Sequence, residues 1–331
     1  MSKMIIVTGG AGFIGSNVVA ALAEQGNCEI AVVDRFRNGQ KWRNISKHLV
    51  AEFISPDLLL AFLGRARRNI RAVVHMGAIS ATTATDVDLI VDTNIRLPSV
   101  LWEWCAEAEV PFIYASSAAT YGGGEHGFVD DAHPAALAQL RPLNAYGWSK
   151  HIFDRRVIDL IKSGRTRPPQ WAGLKFFNVY GPNESHKGDM MSVVAKNYAV
   201  AAAGGTVRLF KSHRVDYDDG GQLRDFVYVR DCVNVITWLI ENPSVSGLFN
   251  VGSGRARSFR DLVTALYRAA GSEPDIEYIA MPEILRDKYQ YFTQADLSRL
   301  RAAGYDQPMT ELEDGIVEYV TSYLSQADIY R

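Results

Sequence analysis

Short runs of apolar residues alternate with helix-length segments along the first half of the chain. The first run, MIIVT, leads through a glycine-rich turn into a helical pattern from about Phe13 to Gln25. β-Branched and aromatic runs of this kind are typical of parallel strands that are buried on both faces. The alternation predicts an α/β fold with a doubly wound parallel sheet and a binding crevice at the strand carboxyl ends. The later strand-like runs are IAVVD (Ile30–Asp34), RAVVH (Arg71–His75), FIYASS (Phe112–Ser117) and LKFFNVYG (Leu174–Gly181), and a further helix spans Asn94 to Glu107.

The pattern is less regular in the second half of the chain. Strand-like DFVYV and LFNVG alternate with helices near Arg230–Glu241 and Ser258–Ala270, and residues 211–223 form a polar segment rich in turn formers. We therefore predict a smaller mixed α/β C-terminal lobe that covers the crevice and binds the substrate. The predicted division is residues 1–180 for the sheet domain and 181–331 mainly for the lobe. The chain is expected to re-enter the first domain around residues 225–250.

Composition excludes several classes of protein. The 331 residues include 35 basic and 37 acidic side chains without a run of like charges, whereas nucleic-acid binding requires a cationic face. We find no apolar run of membrane-spanning length and no signal peptide before the first strand, so we expect a cytoplasmic protein. Cys28, Cys105 and Cys232 fit buried thiols better than a disulfide framework or a zinc site, and no metal is expected.

Three glycines at three-residue spacing follow the first strand and open the first helix. Gly9 permits a tight turn, Gly12 lets the backbone approach a diphosphate, and Gly15 allows close packing of helix and strand. The helix N-terminus offers free N–H groups and a partial positive charge to the phosphates. With Asp34 about 20 residues further on, this is the context of a dinucleotide-binding turn. Residues 1–180 are therefore predicted to be an NAD(P)-binding Rossmann domain.

The residues after the second strand bear on the choice of dinucleotide. Asp34 ends that strand, where a carboxylate would bind the ribose hydroxyls of NAD. Arg35, Arg37 and Lys41 follow closely, and cations at this place can bind the 2′-phosphate of NADP. We expect NADP as the cofactor, with NAD as the alternative.

A tyrosine and a lysine four residues apart are the main catalytic candidates. In YGWSK, Tyr146 and Lys150 lie on one face of a predicted helix. A free tyrosine is a poor base at neutral pH, but a neighbouring ammonium and a positive nicotinamide would lower its pKa. Lys150 could also hold the nicotinamide ribose. Ser117, with Thr120 as a second candidate, is expected to hydrogen-bond the substrate hydroxyl.

The glycine turn, the serine at a strand end and the Tyr-x-x-x-Lys pair together resemble the extended short-chain dehydrogenase/reductase family. Within it the chain is similar to sugar-nucleotide epimerases that act on an ADP-linked heptose. The likeness extends over essentially the whole chain through YASSAATYGG, PLNAYGWSK, FFNVYGPNESHKGDM, RDFVYV and YFTQADLSRLRAAGYD. It implies transient oxidation at C6 by tightly held NADP, turning of the flat ketone, and return of the hydride to its other face. It also implies a product for the lipopolysaccharide inner core and a homo-oligomer such as a pentamer.

The resemblance also implies roles for individual residues. Tyr146 is implied as one acid/base, Lys187 as the second, and Lys150 as the residue that orients the cofactor. Implied cofactor contacts are Phe13, Ile14, Asp34, Arg35, Lys41, His75, Gly77, Ala78, Ser80, Asn94 and Val179. Implied substrate contacts are Ser116, Asn178, Lys187, Asp189, Lys196, Phe210, Arg224 and Tyr289. The chain departs from the family pattern at Met76, Pro56, Asp189 and Lys196, which leaves the fine substrate contacts open.

Lys187 in this scheme answers a geometric need. Because C6 is exocyclic, oxidation and reduction present its oxygen at two places relative to the nicotinamide, and one fixed tyrosine cannot serve both. A lysine can act at the second place if burial or a nearby cation lowers its pKa. The alternative is that Lys187 neutralises the diphosphate of the sugar nucleotide. His186 is expected to be a solvated loop histidine, and His75 a hydrogen-bonded wall residue rather than a base.

Other functions stay open at this stage. A hexose 4-epimerase of the same family should not need Lys187. A 4,6-dehydratase needs a carboxylic acid beside the serine, where this chain has Ala118 and Ala119. A non-catalytic dinucleotide-binding protein is the third alternative, and it predicts that Tyr146→Phe would leave function intact.

Overall fold

The computed structural model describes residues 3–37, 39–286 and 290–331. Over these ranges the strands are β1 (Met4–Thr8), β2 (Glu29–Val33), β3 (Glu52–Ile54), β4 (Ile70–His75), β5 (Phe112–Ser117), β6 (Trp171–Phe176), β7 (Asn178–Tyr180), β8 (Val207–Phe210), β9 (Leu223–Tyr228), β10 (Gly247–Val251), β11 (Ala256–Ser258) and β12 (Ile276–Ile279). The helices are α1 (Phe13–Gln25), α2 (Leu59–Ala66), α3 (Val87–Val91), α4 (Leu97–Ala108), α5 (Pro134–Gln139), α6 (Ala145–Lys162), α7 (Val193–Ala202), α8 (Val229–Glu241), α9 (Phe259–Ala270), α10 (Glu283–Arg286), α11 (Ser298–Ala302) and α12 (Leu312–Tyr319).

The central sheet has seven strands in the order β10-β6-β5-β4-β1-β2-β3. Every neighbouring pair in it is parallel, so all carboxyl ends lie at one edge. The strand order reverses between β1 and β4, and ligands of doubly wound sheets bind at such a reversal. The predicted doubly wound Rossmann sheet is therefore confirmed.

Smaller mixed sheets accompany the central one, as predicted for the C-terminal half. Strand β9 pairs in parallel with β7 and antiparallel with β11, while β8 and β12 form a parallel pair. Helices α7, α9 and α12 pack around these strands through a separate apolar cluster. Strand β10 lies beside β6 in the central sheet, although it follows β9 along the chain. The division into domains at residue 180 stays a prediction.

Two sequence expectations need correction. The run LKFFNVYG is not one strand, because β6 ends at Phe176 and β7 begins at Asn178 in a different sheet. Aromatic or aliphatic residues occur on both sides of Phe177, so the composition of the run does not reveal that the chain changes sheets within it. The helix expected from Asn94 begins with a π-helical turn, Asp92–Arg96, before α4 starts at Leu97.

Two apolar clusters pack on the central sheet, one on each face. Residues of β1 alternate between them, with Ile6 in one cluster and Ile5 and Val7 in the other. All three side chains are fully buried. This burial on both faces explains why the strands read as continuous apolar runs. Across residues 3–37, 39–286 and 290–331, we find no helix with the length and apolar character that a membrane span requires.

Candidate active site

A crevice of about 350 Å³ lies at the carboxyl ends of β1, β4, β5 and β6. It brings together residues that are far apart in the sequence, from the glycine turn to the segment after β7. The predicted residues that line it are Gly9, Gly12, Phe13, Ile14, Gly15, Asp34, Lys41, Gly77, Ala78, Ser80, Ser116, Ser117, Tyr146, Lys150, Val179 and Lys187. The crevice is thus where the predicted dinucleotide turn and the catalytic candidates meet.

The glycine turn after β1 has no room for side chains at two of its positions. Gly9 adopts φ 64°, and a Cβ there would lie 2.6 Å from the backbone nitrogen of Gly77. At Gly15 a Cβ would lie 2.1 Å from the carbonyl oxygen of Gly9, so its close packing is against the turn itself. Helix α1 begins at Phe13, directly after Gly12, and its N-terminus faces the crevice. This cradle fits the diphosphate of a dinucleotide.

Asp34 lies at the end of β2 with its carboxylate fully engaged. Its oxygens accept hydrogen bonds from the backbone nitrogens of Ala11 (2.9 Å) and Arg35 (2.7 Å), and it pairs with the ammonium of Lys41. The guanidinium of Arg35 pairs with Asp57 (2.8 Å) at the surface and does not line the crevice. Of the cations considered for a 2′-phosphate, Lys41 is therefore the one that lines the crevice.

Two residues that were predicted to contact the cofactor, Asn94 and His75, do not line the crevice. Asn94 bonds the segment after β4, and His75 ends that strand. The side-chain oxygen of Asn94 accepts from the backbone nitrogen of Ile79, and its amide donates to the carbonyl of Ile79, both at 2.9 Å. His75 is buried and lies 2.6 Å from the hydroxyl of Thr8, and burial lowers the pKa of its imidazole to about 3. Their predicted contacts with a cofactor stay predictions.

Tyr146 and Lys150 occupy successive turns of α6. That helix starts where the side-chain oxygen of Asn144 accepts a hydrogen bond from the backbone nitrogen of Gly147 (2.8 Å), which caps its N-terminus. The phenol of Tyr146 is hydrogen-bonded to the hydroxyl of Ser117 at the end of β5. Lys150 lines the crevice with a buried side chain, while Tyr146 is partly buried. Helical spacing thus brings both groups to one place, as the sequence predicts.

Burial changes the pKa of both members of this pair. Burial raises the pKa of Tyr146, the hydrogen bond from Ser117 opposes that effect, and the charge of Asp154 adds to it. Burial also lowers the pKa of Lys150 to about 8, and Asp154 partly offsets this. A positive charge close to the phenol, such as that of a bound nicotinamide, would act in the opposite direction and favour phenolate.

Lys187 reaches the same crevice from a short 3₁₀ segment, Ser185–Met190. Its ammonium lies 5.0 Å from the ring centre of Phe13, over the first turn of α1. Burial lowers the pKa of Lys187 and the charge of Lys196 acts in the same direction, while Glu184 opposes them. Burial and a nearby cation are the two effects that proton transfer by a lysine would need.

The segment that carries Lys187 is tied down by residues that sequence reasoning missed. The buried carboxylate of Glu184 accepts hydrogen bonds from the nitrogen (2.6 Å) and hydroxyl (2.7 Å) of Ser192. The amide of Asn44 lies 3.1 Å from the ring of His186, which is partly buried and lines the crevice. Burial lowers the pKa of His186 to about 4, so the expectation of a solvated loop histidine is wrong.

The predicted substrate contacts beyond the catalytic group are more scattered. Asn178 and Asp189 are exposed, and Lys196 donates to the carbonyl oxygen of Asp189. Arg224 is buried in β9, where it donates to the carbonyl of Leu223 (2.8 Å). Phe210 ends β8, and Tyr289 lies outside the described residues. None of these side chains among the described ranges lines the crevice, and their substrate roles stay predictions.

Apolar residues that the sequence analysis did not assign to the site also line the crevice. They are Met76, Ala115, Phe176, Phe177 and Met190. Each lies in a strand, directly after one, or in the 3₁₀ segment, so its residue type alone does not distinguish a crevice wall from the interior. An apolar wall of this kind excludes water from a hydride-transfer site.

A dinucleotide cradle beside a Tyr–Lys pair defines an enzyme site that uses a nicotinamide cofactor. The model of the NAD dependent epimerase/dehydratase family matches residues 5–252, and the chain belongs to that family.

The chain is similar to two curated relatives and to two solved structures of sugar-nucleotide epimerases. The chain is 51% identical over 327 residues to the ADP-L-glycero-D-manno-heptose-6-epimerase of Nitratidesulfovibrio vulgaris (strain DP4), covering 98% of this chain and 99% of the relative. It is 48% identical to the ADP-L-glycero-D-manno-heptose-6-epimerase of Fusobacterium nucleatum, and the alignment covers 99% of this chain and 100% of that relative. The crystal structure of the Helicobacter pylori ADP-L-glycero-D-manno-heptose-6-epimerase is similar with a TM-score of 0.78 at 29% identity, covering 97% and 96%. The Thermus thermophilus UDP-glucose 4-epimerase in complex with NAD has a TM-score of 0.73 at 25% identity, covering 95% and 96%.

Proposed function

We propose that this protein interconverts ADP-D-glycero-manno-heptose and ADP-L-glycero-manno-heptose by transient oxidation and re-reduction at C6. The observation that carries the proposal is a single crevice lined by the dinucleotide turn, by Tyr146 and Lys150 on α6, and by Lys187 from another element. The names of the Nitratidesulfovibrio vulgaris and Fusobacterium nucleatum relatives support the choice of sugar.

In this mechanism the bound dinucleotide supplies a reversible hydride acceptor at its nicotinamide ring. Tyr146, which the positive ring would help to ionise, takes the proton of the C6 hydroxyl, and the hydrogen on C6 would leave as hydride to the nicotinamide with the electron pair of the C6–H bond. The hydroxyl of Ser117 hydrogen-bonds the oxygen, and Lys150 would hold the nicotinamide ribose and so orient the cofactor. After the flat ketone has turned, the ammonium of Lys187 gives its proton to the same oxygen as the hydride returns to the opposite face. In the reverse direction the two acid/base groups exchange roles.

NADP is the cofactor we propose, with NAD as the alternative. Lys41 lines the crevice beside Asp34 and would face a 2′-phosphate there. NAD is favoured by the family description and by the NAD complex of the Thermus thermophilus relative. Mass spectrometry of the dinucleotide that is released from the purified protein by acid distinguishes the two by one phosphate.

The remaining parts of the proposal concern the setting of the reaction. We propose a cytoplasmic homo-oligomer, such as a pentamer, whose product enters the inner core of lipopolysaccharide. Analytical ultracentrifugation of the purified protein measures the number of subunits.

A hexose 4-epimerase is the second candidate, because the fold of the Thermus thermophilus UDP-glucose 4-epimerase is also similar. The test is a panel of ADP-heptoses and UDP-hexoses, with each product resolved by NMR. We expect inversion at C6 of the ADP-heptose and no change in the UDP-hexoses. Turnover of UDP-glucose in preference to ADP-heptose would establish the second candidate instead.

Heavy water tests the redox step itself. Direct hydride return leaves the product without solvent deuterium at carbon, because the same hydrogen leaves and comes back. Deuterium at C6 or at its neighbour would contradict the proposal and indicate carbanion chemistry.

A further inference from the structure

A buried ion pair lies directly under the catalytic serine and tyrosine. Asp154 follows Tyr146 and Lys150 at four-residue steps along α6, so the three side chains share one helix face. Its carboxylate lies 2.8 Å from the ammonium of Lys175 on β6, and both side chains are at most 1% exposed. Neither residue lines the crevice, and the mechanism above does not use them.

The pair is connected to the crevice floor by two routes. In the first, the carboxylate of Asp154 accepts from the hydroxyl of Ser116 (2.7 Å) next to Ser117, and also from the phenol of Tyr114 (3.1 Å). The second route starts at the ammonium of Lys175, which donates to the hydroxyl of Thr120 (2.8 Å). That hydroxyl in turn donates to the carbonyl oxygen of Ser117 (2.8 Å). Ser117 is therefore held through its neighbour and through its own backbone.

Stability alone does not explain such a pair. The cost of removing two charges from water cancels much of their attraction, and well-packed apolar residues often stabilise a core as much. Asp154 also lies close enough to affect the catalytic couple, since its charge raises the pKa of Tyr146 and partly restores that of Lys150.

We propose that Asp154 and Lys175 form a positioning pair, which fixes Ser117 against the Tyr146 phenol and keeps the buried charge beneath that phenol at zero. The inference rests on the proposed proton transfer by Tyr146. Losing either partner would leave one uncompensated charge below the phenol, and the sign of that charge would depend on which partner remained.

Other charged groups act on the same place and stay unchanged in this scheme. Around the phenol they are Lys150 on its own helix and Lys187 from the 3₁₀ segment. Near the pair, burial lowers the pKa of His151 to about 4, and it is neutral at working pH, as is His75 near Lys150. Burial holds the pKa of Tyr114 and of Tyr121 well above the usual range, so both remain neutral.

The test compares Asp154→Asn, Lys175→Met and the double variant in the full-length protein. Asp154→Asn removes an anion and leaves the Lys175 cation, so phenolate becomes easier to form. We expect the apparent pKa of Tyr146 to fall by roughly one unit. Lys175→Met leaves the Asp154 anion, and we expect a rise of similar size. The double variant restores neutrality and should return the pKa close to that of the unaltered protein.

The pKa of Tyr146 is read from tyrosinate absorbance, as the difference between each protein and its Tyr146→Phe partner. This measurement needs neither substrate nor turnover, so it separates the present inference from the proposed function. The pH profile of kcat on ADP-heptose is the second readout, and its Tyr146-dependent limb should move in the same directions.

Asp225→Asn is the matched control, because Asp225 is a buried carboxylate that contacts Ser253, Gly254 and Ala295 away from the crevice. It should lower stability without moving the Tyr146 titration. Shifts in the same direction for both single variants, or no shift in either, would overturn the proposal and leave a structural role. If a single variant does not fold, the double variant and the other single variant still decide the sign. Failure of the unaltered protein to turn over ADP-heptose would count against the proposed function alone.

Discussion

The two acid/base candidates are held in the crevice by different means. Tyr146 belongs to an 18-residue helix with a capped N-terminus, and its partner Lys150 is one turn away on the same face. Lys187 belongs to a 3₁₀ segment of six residues, which is interrupted by the unusual backbone of Gly188. One group is thus fixed by regular hydrogen bonding, and the other depends on contacts made by its neighbours.

This difference predicts how substitutions near Tyr146 and near Lys187 affect activity. In the proposed mechanism, the ketone that turns within the pocket needs one acid/base group at a fixed position, which the helix would provide, and one group that can follow the moved oxygen. The 3₁₀ segment suits the second task, because Glu184 anchors it at Ser192 while Lys187 itself stays partly exposed. Changes on the helix side should therefore abolish chemistry, and changes on the other side should reduce it by degrees.

Tyr146→Phe should have the largest effect. Removing the phenolic oxygen removes the first acid/base, and general acid–base groups contribute about 10²- to 10⁴-fold to the rate. We expect a loss of kcat of that order with little change in stability. Tyr198→Phe on α7 is the control, since Tyr198 is a partly buried tyrosine outside the crevice. Near-normal turnover by Tyr146→Phe would mean that Tyr146 is not the first acid/base group and that the helix does not carry the chemistry.

Lys187→Ala should be the next most harmful change. Without the second proton carrier the ketone can form but is not reduced on its opposite face, so we expect about a 10²-fold loss of epimerisation. Lys162→Ala is the control, because Lys162 is an exposed lysine at the end of α6 and does not line the crevice. A loss seen in KM and not in kcat would instead assign Lys187 to the diphosphate of the substrate.

The sequence predicts the positions of Tyr146 and Lys150 on α6 well and the surroundings of Lys187 poorly. The spacings of Gly9, Gly12, Tyr146 and Lys150 are local, and regular helix and turn geometry converts them directly into positions. The surroundings of Lys187 depend on contacts such as Asn44 with His186, which are 142 residues apart. No local pattern predicts a contact over that distance, and the solvated histidine expected there proved to be partly buried.

The same limit applies to the fold. Strands buried on both faces are recognisable from their apolar runs, and the doubly wound sheet follows from their alternation with helices. The change of sheet at Phe177 could not be predicted, because aromatic or aliphatic residues occur on both sides of it. The pair of Asp154 and Lys175 was missed for a related reason, since a charged side chain in a sequence is usually exposed.

Lys150→Met tests whether the burial of Lys150 on α6 makes the free energy of unfolding depend on pH. Because the folded protein lowers the pKa of Lys150 from 10.5 to about 8, the unfolded chain binds more protons between these values. The free energy of unfolding should therefore rise with pH from about 8 to about 10.5, by up to about 3 kcal/mol. Urea titrations across this range should show the rise in the unaltered protein and its loss in Lys150→Met. Lys162→Met, at the exposed end of the same helix, should keep it.

Gly188→Ala should have the smallest effect on activity. It tests whether the backbone at Gly188 positions the Lys187 side chain or contributes only to stability. Gly188 has φ 54° and open space around it, so alanine would add backbone strain of about 1–2 kcal/mol without a clash. Gly164→Ala, at φ 69° with equally open space, should lower the free energy of unfolding by a similar amount. If the 3₁₀ backbone positions Lys187, the first variant should lose several-fold in kcat while the second loses none. Equal activities would mean that Lys187 finds its place without this backbone, and its side chain alone would then follow the turning ketone.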